Sequence, residues 1–349
     1  MSSIVFAIPG DLATPTGGYA YDRRMIAELA RLGWSVEVAD IGDDFPRPSA
    51  RTLDATRVRL TAIAKGIPIV IDGLAFGAIP ELAADLHPDH PLIALVHHPL
   101  ALESGISRAE ANRLQACERA ALAYSDNVIV TSPSTARLLS TDYGVEPEDI
   151  TVALPGSERR APAAGSSTST PALLSVGSLV PRKGYDVLVA ALAELADLPW
   201  RLTIAGDRTR DRATAETLDA DIRRHGLGER ITLLGAVAEH RLDELYAGAD
   251  LFVLPSRHEG YGMAFGEAIA HGLPVVGTTA GAIPETVPDA AGILVPPDDT
   301  AALARALRQL IEQPAERRRL AAGARAASAR LPTWRQSAEL FARAIEAVT

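Results

Sequence analysis

Short apolar runs that are typical of buried strands alternate with helical patterns along most of this 349-residue chain. The first run, from Ile4 to Ile8, is followed by a helical pattern from Tyr21 to Leu32. Further strand patterns follow at Ser35 to Ala39, Ile67 to Ile71, Leu92 to Val96, Asn127 to Val130 and Thr151 to Ala153. Such alternation indicates βαβ units with parallel strands, and therefore an α/β fold with doubly wound sheets.

A stretch from Gly156 to Pro171 interrupts this alternation, because it is rich in Gly, Ser, Thr, Pro and Ala and has little apolar periodicity. It is predicted to be an interdomain linker. The strand patterns then resume at Ala172 to Val176, Arg201 to Ala205, Ile231 to Leu234, Leu251 to Leu254 and Pro274 to Val276, and arginine-rich helical patterns follow. We therefore predict two Rossmann-like domains, residues 1–160 and 161–330, and a terminal helix in residues 331–349.

Composition narrows the class of protein without giving a function. With 47% hydrophobic residues, the chain can bury two cores of ordinary size. The single cysteine, Cys117, excludes an internal disulfide and a cysteine-based metal cluster. A net charge of −10 argues against broad nucleic-acid binding, and the chain has no basic leader and no long apolar stretch. We therefore expect a cytoplasmic protein that binds no nucleic acid.

The segment directly behind the strand pattern Leu251 to Leu254 carries two carboxylates, Glu259 and Glu267, eight positions apart. On one helix they would point about 80° apart, so a shared helical face explains the pair poorly. Gly260 and Gly262 favour a loop that leaves the strand, because glycine allows backbone geometries that other residues resist. Glu259 is therefore predicted to lie in a loop.

A helical pattern starts near Met263 and ends at Gly272, before Pro274, and it places Glu267 in an early helical turn. The loop amides and the positive end of the helix dipole would face the edge of the sheet where open parallel sheets bind anionic ligands. Carboxylates accept two short hydrogen bonds from a diol, which both sugars and riboses present. The segment therefore predicts a site for a phosphate that has hydroxyl groups on both sides.

At these residues the chain resembles the retaining glycosyltransferases of family 4, which have the GT-B fold and carry two glutamates separated by seven residues in this setting. Three further motifs resemble those of the family. Thr16-Gly17-Gly18-Tyr19 resembles its amino-terminal glycine loop, and Val96-His97-His98 resembles the segment with the histidine that ends a strand. Val176 to Gly184 resembles its phosphate-binding loop. The resemblance covers nearly the whole chain. It implies two Rossmann-like domains that face a central cleft, and a terminal helix that crosses back to the first domain. The apolar residues expected to dock that helix are Trp334, Leu340, Phe341 and Ile345.

The resemblance also implies roles for individual residues. Glu259 would bind the hydroxyls of the donor sugar, and Glu267 the ribose. Lys183 and Arg182 would bind the diphosphate. His97 would hold the sugar or the acceptor, with His98 as the alternative. Glu259, His97, Lys183 and Arg182 are predicted to act in catalysis. The other donor-binding residues that the resemblance implies are Gly17, Gly18, Gly206, Val237, Gly262, Met263, Ala264 and Phe265.

Lysine is rare in this chain. Of the 34 lysines and arginines, two are lysines, Lys65 and Lys183. Lys183 falls inside the phosphate-loop motif, where a compact ammonium can approach a diphosphate oxygen more closely than a planar guanidinium. The family has another positive side chain five residues before this lysine, and here that position is Ser178. Arg182 is the candidate for the missing charge; the alternative is that its side chain points to solvent and donor binding departs from the family pattern.

One literal Asp-x-Asp motif, Asp219-Ala220-Asp221, is of the kind that holds a metal ion on a nucleotide diphosphate in other glycosyltransferase folds. It lies in the helical pattern Ala215 to Arg224, where residues two apart point about 200° apart. The two carboxylates therefore cannot converge on one ion without breaking the helix. Lys183, Arg182 and a helix amino terminus are expected to stabilise the departing diphosphate instead, so we predict no metal and no other cofactor.

These features predict a metal-independent retaining glycosyltransferase that moves a hexosyl group from a nucleotide diphosphate sugar to an acceptor hydroxyl. Two alternatives remain: a GT-B sugar nucleotide epimerase, and a non-catalytic two-domain protein that binds sugar or nucleotide. The donor base (UDP, GDP or ADP), the acceptor (a lipid, a glycan or a small metabolite) and the oligomeric state stay open. The segment from Arg47 to Lys65 is basic, with Asp54 as its only acid, so weak peripheral contact with the inner membrane face is an alternative to a solvated surface.

Overall fold

The computed structural model describes residues 2–103, 105–166 and 168–349, and there the chain forms two compact units. The first unit comprises Met1–Gly156 together with Pro332–Thr349, and the second comprises Ser157–Leu331. Each unit contains a parallel sheet of six strands within the described residues. The predicted α/β fold class is confirmed.

The first sheet consists of β1 (Ser3–Ile8), β2 (Ser35–Asp40), β3 (Ile69–Asp72), β4 (Leu92–Val96), β5 (Asn127–Val130) and β6 (Ile150–Val152). Its strand order is β2-β1-β3-β4-β5-β6, and all neighbours are parallel. The central strands β3, β4 and β5 are buried along their whole length, which explains their continuous apolar runs. The order reverses between β1 and β3, and doubly wound sheets bind ligands at such a reversal, beyond the carboxyl ends of the strands.

The helices of this part of the chain are α1 (Gly17–Arg31), α2 (Ala50–Thr61), α3 (Gly73–Phe76), α4 (Pro80–Leu86), α5 (Arg108–Leu122) and α6 (Pro133–Leu138). Shorter turns are of 3-10 type at Leu100–Leu102 and Pro147–Asp149, and of π type at Leu139–Tyr143. α1 begins earlier than predicted, because Thr16 caps it by accepting a hydrogen bond from the Tyr19 amide. Gly17 and Gly18 therefore form the first turn of the helix instead of a loop before it.

The second sheet consists of β7 (Ala172–Val176), β8 (Arg201–Ala205), β9 (Ile231–Gly235), β10 (Leu251–Val253), β11 (Val275–Thr278) and β12 (Gly292–Val295). Its order is β12-β11-β10-β7-β8-β9, again parallel throughout, and it reverses between β7 and β10. This is the strand order of sheets that bind dinucleotides. The sequence did not predict β12, whose short apolar run stands between a glycine and a proline.

The helices of the second unit are α7 (Tyr185–Ala193), α8 (Arg212–Arg224), α9 (Glu239–Gly248), α10 (Met263–Ala270), α11 (Ile283–Thr286), α12 (Thr300–Glu312) and α13 (Pro314–Ser328), with a 3-10 turn at Pro181–Lys183. α10 starts where the sequence predicted it. Across the described residues, no helix combines the length and the apolar composition needed to cross a bilayer.

The last helix, α14 (Trp334–Glu346), packs within the first unit. Phe341 stacks on Phe6 with ring centroids 5.7 Å apart, and Trp334 meets Tyr21 edge to face at 6.0 Å. Leu340, expected on the same face, is 38% exposed. That expectation was wrong because Trp334, Phe341 and Ile345 point in nearly the same direction, and at about 100° per residue Leu340 lies about 120° around the helix from them.

The stretch predicted as a linker follows the surface of the second unit. The Ala163 amide donates to the His271 carbonyl at 2.7 Å, and the Ala164 amide donates to the Ala247 carbonyl at 2.9 Å. The composition of the stretch indicated that it has no regular secondary structure. These hydrogen bonds nevertheless hold the stretch against the second unit. Ser167, also in this stretch, lies outside the described residues.

Candidate active site

The loops that follow β7 and β10 lie side by side where the strand order of the second sheet reverses. The first loop carries Arg182 and Lys183, and the second carries Glu259. A backbone hydrogen bond of 2.7 Å from the Arg257 amide to the Arg182 carbonyl joins them. Two motifs that are 76 residues apart in sequence therefore meet at the position that doubly wound sheets use for ligands.

Glu259 is the centre of a charged cluster formed by both loops. Its Oε1 accepts hydrogen bonds from Lys183 Nζ and from Ser256 Oγ, both at 2.6 Å. Its Oε2 accepts one from Arg182 Nη1 at 3.2 Å, and the same nitrogen donates to the His258 carbonyl at 3.0 Å. Glu259 is only 5% exposed. Arg182 thus faces Glu259, and the alternative that it points to solvent is wrong.

The charges around Glu259 keep it ionised. Burial by itself raises the pKa of this carboxyl, but Lys183 and Arg182 outweigh burial, and the pKa falls to about 2. Two cationic side chains and one carboxylate leave the cluster with a net positive charge. An anionic ligand such as a diphosphate complements that charge.

Gly206 brings a third loop against the phosphate-loop motif. A Cβ at this position would lie 1.8 Å from the Gly177 carbonyl oxygen, so no other residue fits without moving the loop. The Gly177 amide donates to the Ala205 carbonyl, and the Gly206 amide to the Gly235 carbonyl, both at 2.9 Å. Val237 follows shortly after Gly235 at the same edge of the sheet. Gly206 therefore lies against the motif, and Val237 lies on the loop of the next strand along the same edge.

The start of α10 presents backbone amides at this edge. Gly262 caps the helix with φ at 84°, a geometry that glycine adopts readily. Met263 and Ala264 belong to the first turn, whose N–H groups have no partner within the helix itself. Phe265 requires a correction, since its N–H donates to the Gly262 carbonyl and its side chain is buried against Phe252. It is a core residue, and Gly262, Met263 and Ala264 remain as candidate contacts.

Glu267 lies in a different neighbourhood from Glu259. It stands on α10 beside Tyr246, and Asp243 and Arg160 are among the charged residues around it. Burial raises the pKa of Glu267 to about 7, while the hydrogen bond with Tyr246 acts in the opposite direction. The predicted pair therefore consists of one carboxylate that stays ionised and one carboxyl group that changes charge near neutral pH.

In the first unit, the edge where the strand order reverses carries His97, which directly follows β4, and Asp72, which ends β3. α1 contributes Gly18 and Asp22. A Cβ at Gly18 would lie 3.2 Å from His97 Cδ2, so the glycine leaves room for the imidazole ring. The side chain of His97 is 18% exposed, and part of the ring is therefore accessible to a ligand.

Two buried carboxylates contact one atom of His97. Its Nε2 lies 3.1 Å from Asp22 Oδ1 and 3.5 Å from Asp72 Oδ2. Burial lowers the pKa of His97, but the two carboxylates outweigh it and raise the pKa above its ordinary value. The ligand atoms of the three residues lie within 4.8 Å of one another. An Nε2 atom this close to two carboxylate oxygens donates hydrogen bonds to them when it carries a proton.

Sequence reasoning did not find Ser256, Asp22 or Asp72. Asp72 did give a signal, since it ends a strand pattern next to that of His97, and the carboxyl ends of adjacent parallel strands meet at one edge. Asp22 lies inside a helical pattern that does not reveal which loop it faces. Ser256 stands in a loop, where serine is common for reasons of turn geometry alone.

The Asp-x-Asp motif does not converge on one point. Asp219 Oδ2 pairs with Arg208 at 2.5 Å, and Asp221 Oδ1 pairs with Arg224 at 2.7 Å. Both residues lie on α8, as the helical pattern predicted. Each carboxylate is therefore occupied by a different arginine.

The basic segment of the first unit forms ion pairs within that unit. Arg47 pairs with Glu110 at 3.0 Å, and Lys65 pairs with Asp89 at 2.9 Å. These pairs reduce the positive charge that the segment offers to an anionic membrane. A cavity of about 700 Å³ lies beside Arg47, Glu110 and Arg113, and the predicted site residues are not among its described lining residues.

Comparison with known families decides the class of protein. Residues 157–327 match the family model described as glycosyl transferases group 1, and residues 20–158 match that described as glycosyltransferase family 4. This chain is a family 4-like GT-B glycosyltransferase. The border between the two matches falls at the border between the two units of the glycosyltransferase.

Relatives of this glycosyltransferase have names that refer to different substrates. The D-inositol 3-phosphate glycosyltransferase of Xylanimonas cellulosilytica is 33% identical over 61% of this chain and 55% of the relative. The MMP α-(1→4)-mannosyltransferase of Mycolicibacterium hassiacum is 27% identical over 87% of this chain and 77% of the relative. The chain thus spans little more than half the length of the first relative.

Solved structures share the fold over almost the whole chain. Sucrose-phosphate synthase from Thermosynechococcus elongatus has a TM-score of 0.83 at 23% identity, covering 99% of this chain and 98% of the other. Anabaena HepE, in complex with UDP and glucose, has a TM-score of 0.78 at 19% identity, covering 99% and 100%. At these identities the likeness establishes the GT-B fold.

Proposed function

We propose that this glycosyltransferase transfers a hexosyl group from a nucleotide diphosphate sugar to an acceptor hydroxyl, with retention and without a metal ion. The observation that carries the proposal is the cluster of Lys183, Arg182 and Glu259 at the reversal of strand order in the second sheet. Its net positive charge suits a diphosphate, and its carboxylate suits sugar hydroxyls. The complex of HepE with UDP and glucose supports a uridine nucleotide sugar as the first donor to test.

Lys183 and Arg182 perform the task that a divalent ion performs in metal-dependent transferases. With the first amides of α10, they stabilise the negative charge that develops on the departing diphosphate. Glu259 binds hydroxyls of the donor sugar, and Glu267 binds the ribose. His97 holds the sugar or the acceptor. These roles follow the family resemblance and agree with the charge of each group.

The contacts of Glu259 disfavour a covalent glycosyl-enzyme intermediate. A carboxylate nucleophile, as in retaining glycosidases, attacks the anomeric carbon with one of its oxygens. Here Lys183 and Ser256 engage one oxygen and Arg182 the other, and a pKa of about 2 denotes weakly basic oxygens. We therefore assign the attack to the acceptor hydroxyl, on the same face as the leaving diphosphate, whose oxygen takes the proton of the acceptor.

For the acceptor we propose a small hydroxylated metabolite or the end of a glycan. A relative named for D-inositol 3-phosphate supports this choice over a lipid. The ion pairs of Arg47 and Lys65 also weaken the case for a membrane-bound substrate.

Nucleotide binding in the presence of a chelator tests the donor site. UDP, GDP and ADP, each alone and as a nucleotide sugar, are added to the EDTA-treated protein, and the Tm is measured. One base should raise the Tm increasingly with ligand concentration above its Kd. Lys183→Ala should lose this rise, whereas Lys65→Ala, at the other lysine, should keep it. Lys183→Arg should lose most of it, because a guanidinium does not replace a compact ammonium.

The outcomes separate the competing functions. An equal Tm rise in Lys183→Ala and wild type, or no rise with any nucleotide, would contradict the donor site. A rise that appears only with added Mg²⁺ or Mn²⁺ would contradict metal independence. With donor and acceptor together, proton NMR of the product should show the anomeric configuration of the donor. Interconversion of nucleotide sugars without an acceptor would favour an epimerase instead.

A further inference from the structure

The first unit determines which hydrogen-bonding atom His97 offers to a ligand. Its Nε2 lies 3.1 Å from Asp22 Oδ1 and 3.5 Å from Asp72 Oδ2. Carboxylate oxygens accept hydrogen bonds, so Nε2 must carry a proton to donate. This leaves Nδ1 as the second hydrogen-bonding atom of a ring that is partly exposed.

The packing around the ring favours this orientation. Cδ2 and Nε2 face Gly18, where a Cβ would lie 3.2 Å and 3.4 Å from them. The ring of Tyr21 stands edge to face against the imidazole at 5.4 Å, and its hydroxyl donates to the Ala153 carbonyl at 2.9 Å. A ring turned by 180° about the Cβ–Cγ bond would put Cε1 in the place of Nε2 and lose both carboxylate contacts. Asp22 and Asp72 would then be buried carboxylates without a cationic partner.

We propose that Asp22 and Asp72 are positioning residues that hold His97 as an imidazolium, so that its Nδ1–H is a hydrogen-bond donor to the sugar substrate. The inference rests on the proposed contact between His97 and the sugar. A neutral imidazole with its proton on Nε2 would present Nδ1 as an acceptor instead. The two carboxylates thus convert Nδ1 from a hydrogen-bond acceptor into a donor. As a donor, Nδ1–H binds a lone pair of a sugar oxygen.

The groups that face the imidazole ring are Asp22 and Tyr21 from α1 and Asp72 from β3. Tyr21 contributes no charge near neutral pH, because burial raises its pKa well above the ordinary value. Asp22 and Asp72 together carry two negative charges opposite one imidazolium when both are ionised. Asp22 is completely buried and Asp72 nearly so, and solvent therefore screens these charges weakly.

Histidine-selective ¹⁵N NMR of the full-length protein tests the proposal. The nitrogen shifts of each imidazole report which nitrogen is protonated, and His97→Gln identifies the signal of His97. We expect both nitrogens of His97 to be protonated at pH 8, where an ordinary histidine, with a pKa of about 6.5, is neutral. Asp22→Asn and Asp72→Asn should each lower the titration midpoint of His97 by about 1–3 pH units. Glu103→Gln, which removes the carboxylate 3.5 Å from His98, should leave it unchanged.

A midpoint of His97 near 6.5 in the wild type would overturn the proposal, as would an unchanged midpoint in both asparagine variants. If Asp22→Asn does not fold, the titration midpoints of His97 in the wild type and in Asp72→Asn still test the proposal. The spectra require neither donor nor acceptor, so a failure of the proposed function leaves this test intact. Once an acceptor is known, the alkaline limb of the kcat/KM profile should move to lower pH in Asp72→Asn by the same amount as the NMR midpoint, a shift that a purely structural role would not produce.

Discussion

Glu259 and Glu267 form one motif in the sequence, but their surroundings give them opposite acid–base behaviour. Glu259 is surrounded by Lys183, Arg182 and Ser256, and its carboxyl group is ionised at all physiological pH values. Glu267 has Tyr246 as its neighbour, and burial raises its pKa to about 7. Only one of the two therefore changes charge where enzymes are usually assayed.

The affinity for the donor should depend on pH through Glu267. A carboxyl group that accepts hydrogen bonds from a ribose diol must be ionised, and with a pKa of about 7 it is mostly protonated at pH 6. The Kd of the nucleotide sugar should therefore be about tenfold higher at pH 6 than at pH 8. Isothermal titration with the intact nucleotide sugar measures this, since its esterified phosphates do not titrate in this range. The same pH dependence in Glu267→Gln would contradict the assignment.

Glu118 on α5 is a buried carboxyl group outside the candidate active site. Its Oε2 accepts a hydrogen bond from the Leu100 amide at 3.0 Å, and its Oε1 has no hydrogen-bond partner among the described residues. Burial raises the pKa of Glu118 to about 8. The folded state therefore binds this proton more tightly than the unfolded state, and the corresponding stability is lost as pH rises from about 4.5 to about 8.

Glu118→Gln should remove this loss of stability. Glutamine keeps an oxygen that can accept from Leu100 and has no charge to bury. The variant should be more stable than the wild type by about 2 kcal/mol at pH 6 and by about 4–5 kcal/mol at pH 9. Urea unfolding at the two pH values measures the difference. Glu339→Gln, which removes an exposed carboxylate of the same unit, serves as the control, and equal losses in wild type and Glu118→Gln would refute the prediction.

Motifs that resemble those of the family revealed the site residues that stand at the ends of strand patterns. Lys183, Glu259 and His97 each follow an apolar run, and parallel strands bring such positions to one edge of a sheet. Asp22 was not found, because its contact with His97 depends on how α1 is rotated over the sheet. Phe265 was misjudged because its amide is used by the cap of its own helix. Both errors concern packing, which no local pattern encodes.

At the scale of elements, the phosphate-loop motif depends on the close approach of the loops after β7 and β8. Gly206→Ala would place a Cβ 1.8 Å from the Gly177 carbonyl oxygen, so the loop must move. We expect the nucleotide-dependent Tm rise to be lost and the second unit to be destabilised by about 1–3 kcal/mol. Gly248→Ala is the matched control, because a Cβ there meets nothing within 4 Å. Unchanged nucleotide binding in Gly206→Ala would show that the loop can move without consequence for the site.

The boundaries of most strands could be predicted because fully buried parallel strands are continuous apolar runs. β4 and β5 are buried along their whole length and were predicted to the residue, as Leu92–Val96 and Asn127–Val130. β12 was missed, since a short apolar run between a glycine and a proline resembles a turn. The start of α1 was predicted too late because glycine is a poor helix former, while capping by Thr16 overrides that preference.

At the scale of the whole molecule, the chain has two units with separate hydrophobic cores, and α14 adds its residues to the first. Trp334 and Phe341 of this helix contact Tyr21 and Phe6, so the carboxyl-terminal end of the chain stabilises the amino-terminal sheet. Gly156 lies against the Trp334 backbone, where an added Cβ would be 2.3 Å away. The chain thus leaves and re-enters the first unit at neighbouring points.

Two cores predict two unfolding transitions that respond to different changes. Phe341→Ala should lower the free energy of unfolding of the first unit by about 3–5 kcal/mol, and with it the Tm of that unit, because it leaves a cavity beside Phe6. The Tm of the second unit should not change. The nucleotide that binds the second unit should raise only the Tm of that unit. Differential scanning calorimetry resolves the two effects, with Leu340→Ala, at an exposed position of the same helix, as the control. A single transition that both the variant and the nucleotide shift would show instead that the two cores unfold as one cooperative unit.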